Sequence, residues 1–236
     1  MQIIKQEFSD RVEEINTFFR LLENITEKEA RLVFPNDNNR VENFDFDVHS
    51  TLKSTSILLL YNLIEATISK CIERVHQIIS SENITYDLAS DSIQKIWLAQ
   101  YYDRFKETSN NEKNALTNLK LMIDTLVRNN VSIELVFRDK EKRSSEISGN
   151  LDGKKIREIA EKYDIGFPNV TQNVLKGILD IKDKRIDLAH GVKSFLECGR
   201  DMTYPDLKTL KQQTIDFLQA FISAVENFIT EKKYKR

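Results

Sequence analysis

From Ser50 to about Ser80 the chain carries Leu52, Ile57, Leu58, Leu59, Leu60, Leu63, Ile64, Ile68, Ile72, Val75 and Ile79, a pattern apolar around most of its middle. A helix that is apolar on several sides has to be surrounded. This segment therefore predicts a central buried helix with other helices packed round it.

The neighbouring segments supply those partners. Phe8, Val12, Ile15, Phe18, Phe19, Leu22 and Ile25 recur at three- and four-residue intervals, which predicts an amphipathic helix over residues 4–25. Residues 35–48 are polar and turn-rich and read as a loop. That loop divides an N-terminal extension, residues 1–45, from a main helical domain, residues 46–236. Helices are expected from Ser90 to Phe105 and from Glu112 to Arg128, divided by the polar run Thr108 to Lys113, the second with an apolar stripe of Leu116, Leu119, Ile123 and Leu126. Val131 to Phe137 is β-branched and apolar, and reads as a short strand or an extended connection. Asp152 precedes Lys155, Ile156, Ile159, Ala160 and Tyr163, the pattern of an N-capped helix ending before Gly166. Val170 to Leu196 reads as one or two helices. Pro205 then opens a last helix through Phe228, ahead of the basic tail Lys232 to Arg236. With only 6 glycines and 3 prolines, the fold class is all-α.

Charge and cysteine usage narrow the function classes. A net charge of -2 excludes a globally basic polyanion binder, so any nucleic-acid contact has to be focal. Cys71 and Cys198 form no CxxC pair and no zinc-ligand spacing, which argues against a structural zinc and fits a reducing compartment. Met1 to Phe19 is charged throughout, unlike a secretory signal, and no stretch approaches the roughly 20 apolar residues that span a bilayer. A cytoplasmic location without membrane association is expected.

Residues suited to catalysis converge in one run, Lys184-Arg185-Ile186-Asp187-Leu188-Ala189-His190-Gly191. Histidine titrates near neutrality and moves protons, while arginine stays charged and grips phosphate oxygens in a bidentate fork. The pair suggests RNA phosphodiester chemistry. Five residues turn a regular helix through about 140°, so Arg185 and His190 do not share a face, whereas Asp187 and Ser194 lie nearer that of His190.

Arg185, four intervening residues and His190, followed by Gly191, resembles the Arg-x4-6-His signature of HEPN domains, all-helical proteins many of which are endoribonucleases. Tyr61-Asn62-Leu63-Ile64-Glu65-Ala66, Ser148-Gly149-Asn150-Leu151-Asp152 and Leu188-Ala189-His190-Gly191 fit the same likeness, which covers most of residues 50–230. The resemblance implies a HEPN-like helical bundle, here with an additional N-terminal amphipathic helix. It implies a metal-independent endoribonuclease with no cofactor, whose motif meets a second copy at a homodimer interface. Arg185 and His190 are then the catalytic pair, with Asp187 supporting by orienting His190, and Asn62 and Glu65 supporting by lining the cleft unless they hydrogen-bond within the core or to the motif helix instead. RNA is the implied substrate, in a toxin–antitoxin or phage-defence setting with an antitoxin or another defence protein as a further partner.

Other readings stand beside this one. Many HEPN members carry a polar residue directly after the arginine where this chain has Ile186, which favours a non-catalytic HEPN-like module whose dimer binds RNA or protein. A purely structural helical interaction protein is the third. His190 can equally be a helix-end histidine, with Arg185 paired to Asp183 or Asp187. His49 and His76 read as ordinary structural residues, Cys71 as a small buried hydrophobe, and Gly149 to Asp152 as a cap rather than a phosphate loop. Lys154, Lys155, Arg138 to Arg143 and the tail read as solvated charge that could track an RNA backbone.

Overall fold

A computed structural model of the chain describes residues 1–108, 112–127, 131–139, 144, 145, 147 and 150–236. Residues 109–111 of the predicted divider, 140–143 of the basic stretch, and Ser148 and Gly149 of the run before Asp152 lie outside them. The described residues are all-α in class, with α1 (Gln2–Thr26), α2 (Phe46–Ser81), α3 (Asp91–Thr108), α4 (Glu112–Val127), α5 (Gly153–Tyr163), α6 (Gln172–Ala189), α7 (Phe195–Arg200) and α8 (Tyr204–Thr230). A hairpin of β1 (Arg31–Phe34) and β2 (Arg40–Asn43) precedes α2, and the two-residue strands β3 (Arg138–Asp139) and β4 (Ser144–Ser145) pair between α4 and α5.

The chain forms two compact units, neither continuous in sequence. The first contains residues 1–68, 149–155 and 169–220, so the whole of residues 1–45 falls within it. The second contains residues 69–148, 156–168 and 221–236. In the first unit, Ile57, Leu60, Tyr61, Leu63, Ile64 and Ile68 of α2 are almost fully buried, as its sequence requires. α1 buries Ile4, Phe8, Ile15, Phe19, Leu22 and Ile25. Each such side chain contributes roughly 1.5–3 kcal/mol when fully buried, so α1 is built into this unit. Lys211 of α8 ties to it, donating to Asn16 Oδ1 at 2.8 Å and lying 5.0 Å from the Phe19 ring centre. At the N-terminal end of α2, Ser54 Oγ donates to Phe195 O at 2.6 Å and Lys53 Nζ to Met202 O at 2.8 Å. There Gly199 of α7 sits so close that an added Cβ would fall well inside contact distance of Ser50 O.

In the second unit the later turns of α2 bury Ile72, Val75 and Ile79, and His76 Nε2 lies 2.6 Å from the Tyr163 hydroxyl. Cys71 is fully buried and its thiol is pushed up to about 12 by desolvation, which makes it an inert hydrophobe. Val131 to Phe137 does find a backbone partner: Tyr86 N donates to Val131 O and Ile133 N to Ile84 O, while Ile133, Leu135 and Phe137 alternate inward.

Four expectations change. The predicted loop over 35–48 holds β2 and the start of α2, with Asn38 and Asn39 in left-handed conformations closing the hairpin turn. On α4, Leu116, Leu119 and Ile123 are exposed rather than in the core. α2 is, among the described residues, a helix long and apolar enough to cross a membrane, although 56% of its most apolar window is buried inside the protein, as in a core helix. The basic tail is also committed to pairing. Lys232 and Lys235 pair with Glu82, Arg236 with Asp91, and Lys233 with Glu231. Buried Tyr234 anchors it by donating to Glu82 Oε1 at 3.0 Å. Burial, with Glu82 beside it, pushes that phenol up to about 12.

Gly199→Ala should lower the urea midpoint of unfolding by the equivalent of about 1–3 kcal/mol, the usual cost of overpacking against a wall that cannot move aside. Gly166→Ala, at a position open within 4 Å, should leave the midpoint nearly unchanged.

Candidate active site

α6 is cut to length by its own last turn. His190 is the C-cap residue, Val192 N donates to Asp187 O at 2.8 Å, and Gly191 N donates to Leu188 O at 3.3 Å. With Gly191 at a φ of +67°, this is a Schellman ending, which requires a residue free to enter the left-handed region. The Asp187 carboxylate then reaches Lys193 Nζ at 2.8 Å, across the turn. Ser194 caps α7 in a reciprocal box with Glu197. These local bonds fix the chain on both sides of His190, whose exposed ring has no hydrogen-bond or ion-pair partner among the described residues.

One turn earlier the helix faces inward. Ile178 and Ile181 are buried, and Arg185 on the same side is half-buried with its guanidinium carbon 4.7 Å from the Tyr61 ring centre. A cation over an aromatic face is held by the ring quadrupole, more strongly where water is excluded. Tyr61 is itself fixed. Its ring is 1% exposed and its hydroxyl accepts the Leu151 N–H at 3.2 Å. Burial raises the phenol above its ordinary value, against the Leu151 bond, with Glu65 raising it further and Arg185 and Lys182 lowering it. Tyr61 is thus a neutral floor under Arg185.

A second ion pair braces the same place. Lys182 donates to Asp152 Oδ2 at 2.9 Å and approaches Asp183 at 3.4 Å, while Asp152 Oδ1 caps α5 by accepting the Lys155 N–H at 2.8 Å. Burial works against the Asp152 charge, yet the bonds from Lys182 and Lys155 hold its carboxyl below the ordinary range. The same carboxylate, by hydrogen bond, raises Lys182.

The structure therefore brings Arg185, Tyr61, Glu65, Lys182 and Asp152 together and places His190 apart, at the exposed end of the same helix. Asp187 is bridged to Lys193 and does not bond His190. Asn62, the residue after Tyr61, is exposed. Tyr61, read only as part of a run that fits the HEPN likeness, and Lys182 are not among the expected site residues, yet both lie with Arg185. Tyr61 carried a signal, being a tyrosine on the most buried stretch of α2, where its hydroxyl needs a partner.

A family profile described as HEPN_MAE_28990-like HEPN matches residues 1–234. The chain belongs to that HEPN family, and α1 lies inside the matched region. Comparison with curated proteins and with solved structures finds no match.

The Asp152–Lys182 pair has a worked pH dependence. A carboxyl held low contributes stability above its ordinary pKa and loses it as pH falls through the depressed value. A lysine held high contributes below its ordinary pKa and loses it as pH rises through the raised value. Asp152→Asn keeps a capping side chain, so the gap in denaturation midpoint between it and the wild type should be widest near neutrality and close below about pH 4, the ordinary carboxylate pKa. A gap that stays constant into acid would contradict the pairing.

Proposed function

We propose that this protein is a metal-independent endoribonuclease acting as a homodimer, with Arg185 and His190 as its catalytic residues. The observation that carries this reading is the division of labour at the end of α6. A cation is held in a fixed plane on Tyr61, and a histidine is presented to solvent one turn later. The two point to different sides of the helix, so two copies meeting at this end would place the Arg185 of one beside the His190 of the other. A twofold axis generates that meeting twice, symmetrically.

In the reaction, the RNA 2′-hydroxyl attacks the adjacent phosphorus. One His190 takes the hydroxyl proton as the new P–O bond forms. The P–O5′ bond breaks, and the 5′-oxygen leaves with a proton supplied by the second histidine or by water. The products are a 2′,3′-cyclic phosphate and a 5′-hydroxyl. Arg185 stabilises the negative charge that builds on the non-bridging oxygens, a role that benefits from a guanidinium already oriented. Asp187 acts as a positioning residue, through Lys193 and the turn that carries His190. Glu65 acts on Tyr61 and so on the floor beneath Arg185. A toxin–antitoxin or phage-defence role, with an antitoxin or another defence protein restraining the dimer, fits such an activity.

The second reading is a non-catalytic HEPN module that binds RNA or protein. His190 has no described partner to orient its ring, and Leu179 and Ile186 put apolar surface on its side of α6.

Incubating the purified protein with labelled RNA in EDTA separates the two. Wild type should yield 2′,3′-cyclic ends and spare DNA, which lacks the attacking hydroxyl. His190→Ala should slow cleavage by about 10²–10⁴, and Arg185→Ala by a comparable factor, with folding retained. RNA binding without cleavage by a folded dimer would establish the module instead.

A further inference from the structure

The β1–β2 hairpin is exposed along almost its whole length. Its register puts Val33 opposite Val41 on one face, and Phe34 opposite Arg40 and Leu32 opposite Glu42 on the other. Val33 and Val41 are 55% and 52% exposed, so an apolar cross-strand pair stands in water. A lone two-stranded hairpin is marginal, and each outer edge offers unpaired backbone donors and acceptors to another strand.

We propose that β2 pairs antiparallel with β2 of a second copy of this chain, about a twofold axis at Val41. Within one hairpin Arg40 pairs with Glu42 at 2.6 Å and with Asp37 at 2.9 Å, and the partner and register that suit the strand are those in which Arg40 and Glu42 can share these charges with their counterparts in the second copy. With Val41 opposite its own copy, Arg40 faces the second copy's Glu42, and Glu42 faces the second copy's Arg40. Val33 and Val41 of both hairpins then form one apolar stripe, because directly paired residues share a face. Centring the axis between Val41 and Glu42 instead sets Val41 against Glu42 and Arg40 against Asn43. Centring it on Glu42 sets Arg40 against Phe44. The outer edge of β1 has only Arg31 as a charged residue, so self-pairing there forms no complementary pair.

Two four-residue edges bury far less than the roughly 1,200 Å² of a stable interface, so this edge is an arm beside a larger contact. Exposed Phe46 and Val48 open α2 just after the hairpin, and exposed Val192 precedes α7 while exposed Phe195 opens it, its carbonyl accepting from Ser54 of α2. The proposal shares with the nuclease reading only the association of two copies and does not depend on RNA cleavage.

The test uses the full chain carrying Val41→Cys under mild oxidation. Cys71 and Cys198 are both buried, so the introduced thiol reports alone. Directly opposed residues in an antiparallel pair lie about 4.5–5.5 Å apart, inside the range a disulfide bridges. A disulfide-linked dimer should form at least tenfold faster than with Val33→Cys, which is equally exposed but off the axis. Adding Arg40→Glu or Glu42→Arg to Val41→Cys should slow linking within each protein, where like charges face each other. Mixing those two double variants should restore it, because each then supplies the charge the other lacks. Equal rates for Val41→Cys and Val33→Cys, or a mixture that links no faster than its components, would overturn the edge pairing. RNA cleavage by a dimer that gives no such linking would overturn this proposal alone, whereas linking without cleavage would uphold it and remove the nuclease reading.

Discussion

The fold depends on the burial of α2. A helix 36 residues long with apolar side chains round most of its circumference cannot be stable with one side in water. Its early turns accordingly take part in one compact unit and its later turns in another. The same burial decides where polar groups can go. A tyrosine on its inner face must spend its hydroxyl on a backbone partner, which Leu151 supplies, and its ring then becomes a dry, fixed surface. Arg185 uses that surface. The site's rigidity is therefore inherited from the core.

The end of α6 works on a different principle. Here position is set by backbone chemistry over a few residues: a left-handed glycine, two bonds closing the helix, a lysine–carboxylate bridge and a capping box opening the next helix. Nothing among the described residues buries His190. A histidine at a helix C-cap is left accessible to solvent. A half-buried Arg185 and an exposed His190 are compatible with one helix because its two faces point different ways.

Much of this was legible in the residues. Apolar periodicity located the long helices to within a few positions, because core burial enforces that periodicity. Asp152 announced the start of α5 as a cap, which it is. The Arg-x4-His run with its neighbours pointed to the HEPN family, to which the chain belongs. What escaped was set by partners distant in sequence. The stacking of Arg185 on Tyr61 joins positions 124 residues apart, the difference of their numbers, and neither residue alone implies the other. The tail reads as solvated charge, and its ion pairs were not legible because Glu82 and Asp91, which receive it, lie far upstream. The α4 stripe misled in the opposite sense. A helical apolar period implies a partner surface, and for Leu116, Leu119 and Ile123 the described residues do not provide one. Asp187 was expected to orient His190 on the strength of a shared face, but Lys193 is the closer opposite charge once the chain turns.

The central claim is that Arg185 and His190 act together only across two copies of the chain. Subunit mixing tests it most directly. Arg185→Ala and His190→Ala proteins, each inactive alone, are combined under conditions in which subunit exchange is demonstrated, and RNA cleavage is measured in EDTA. The account predicts that cleavage returns in the mixture, since a mixed dimer brings the intact arginine of one copy to the intact histidine of the other. A mixture as inactive as its components, despite exchange and despite an active wild type, would contradict it and place both residues of a working site within one chain.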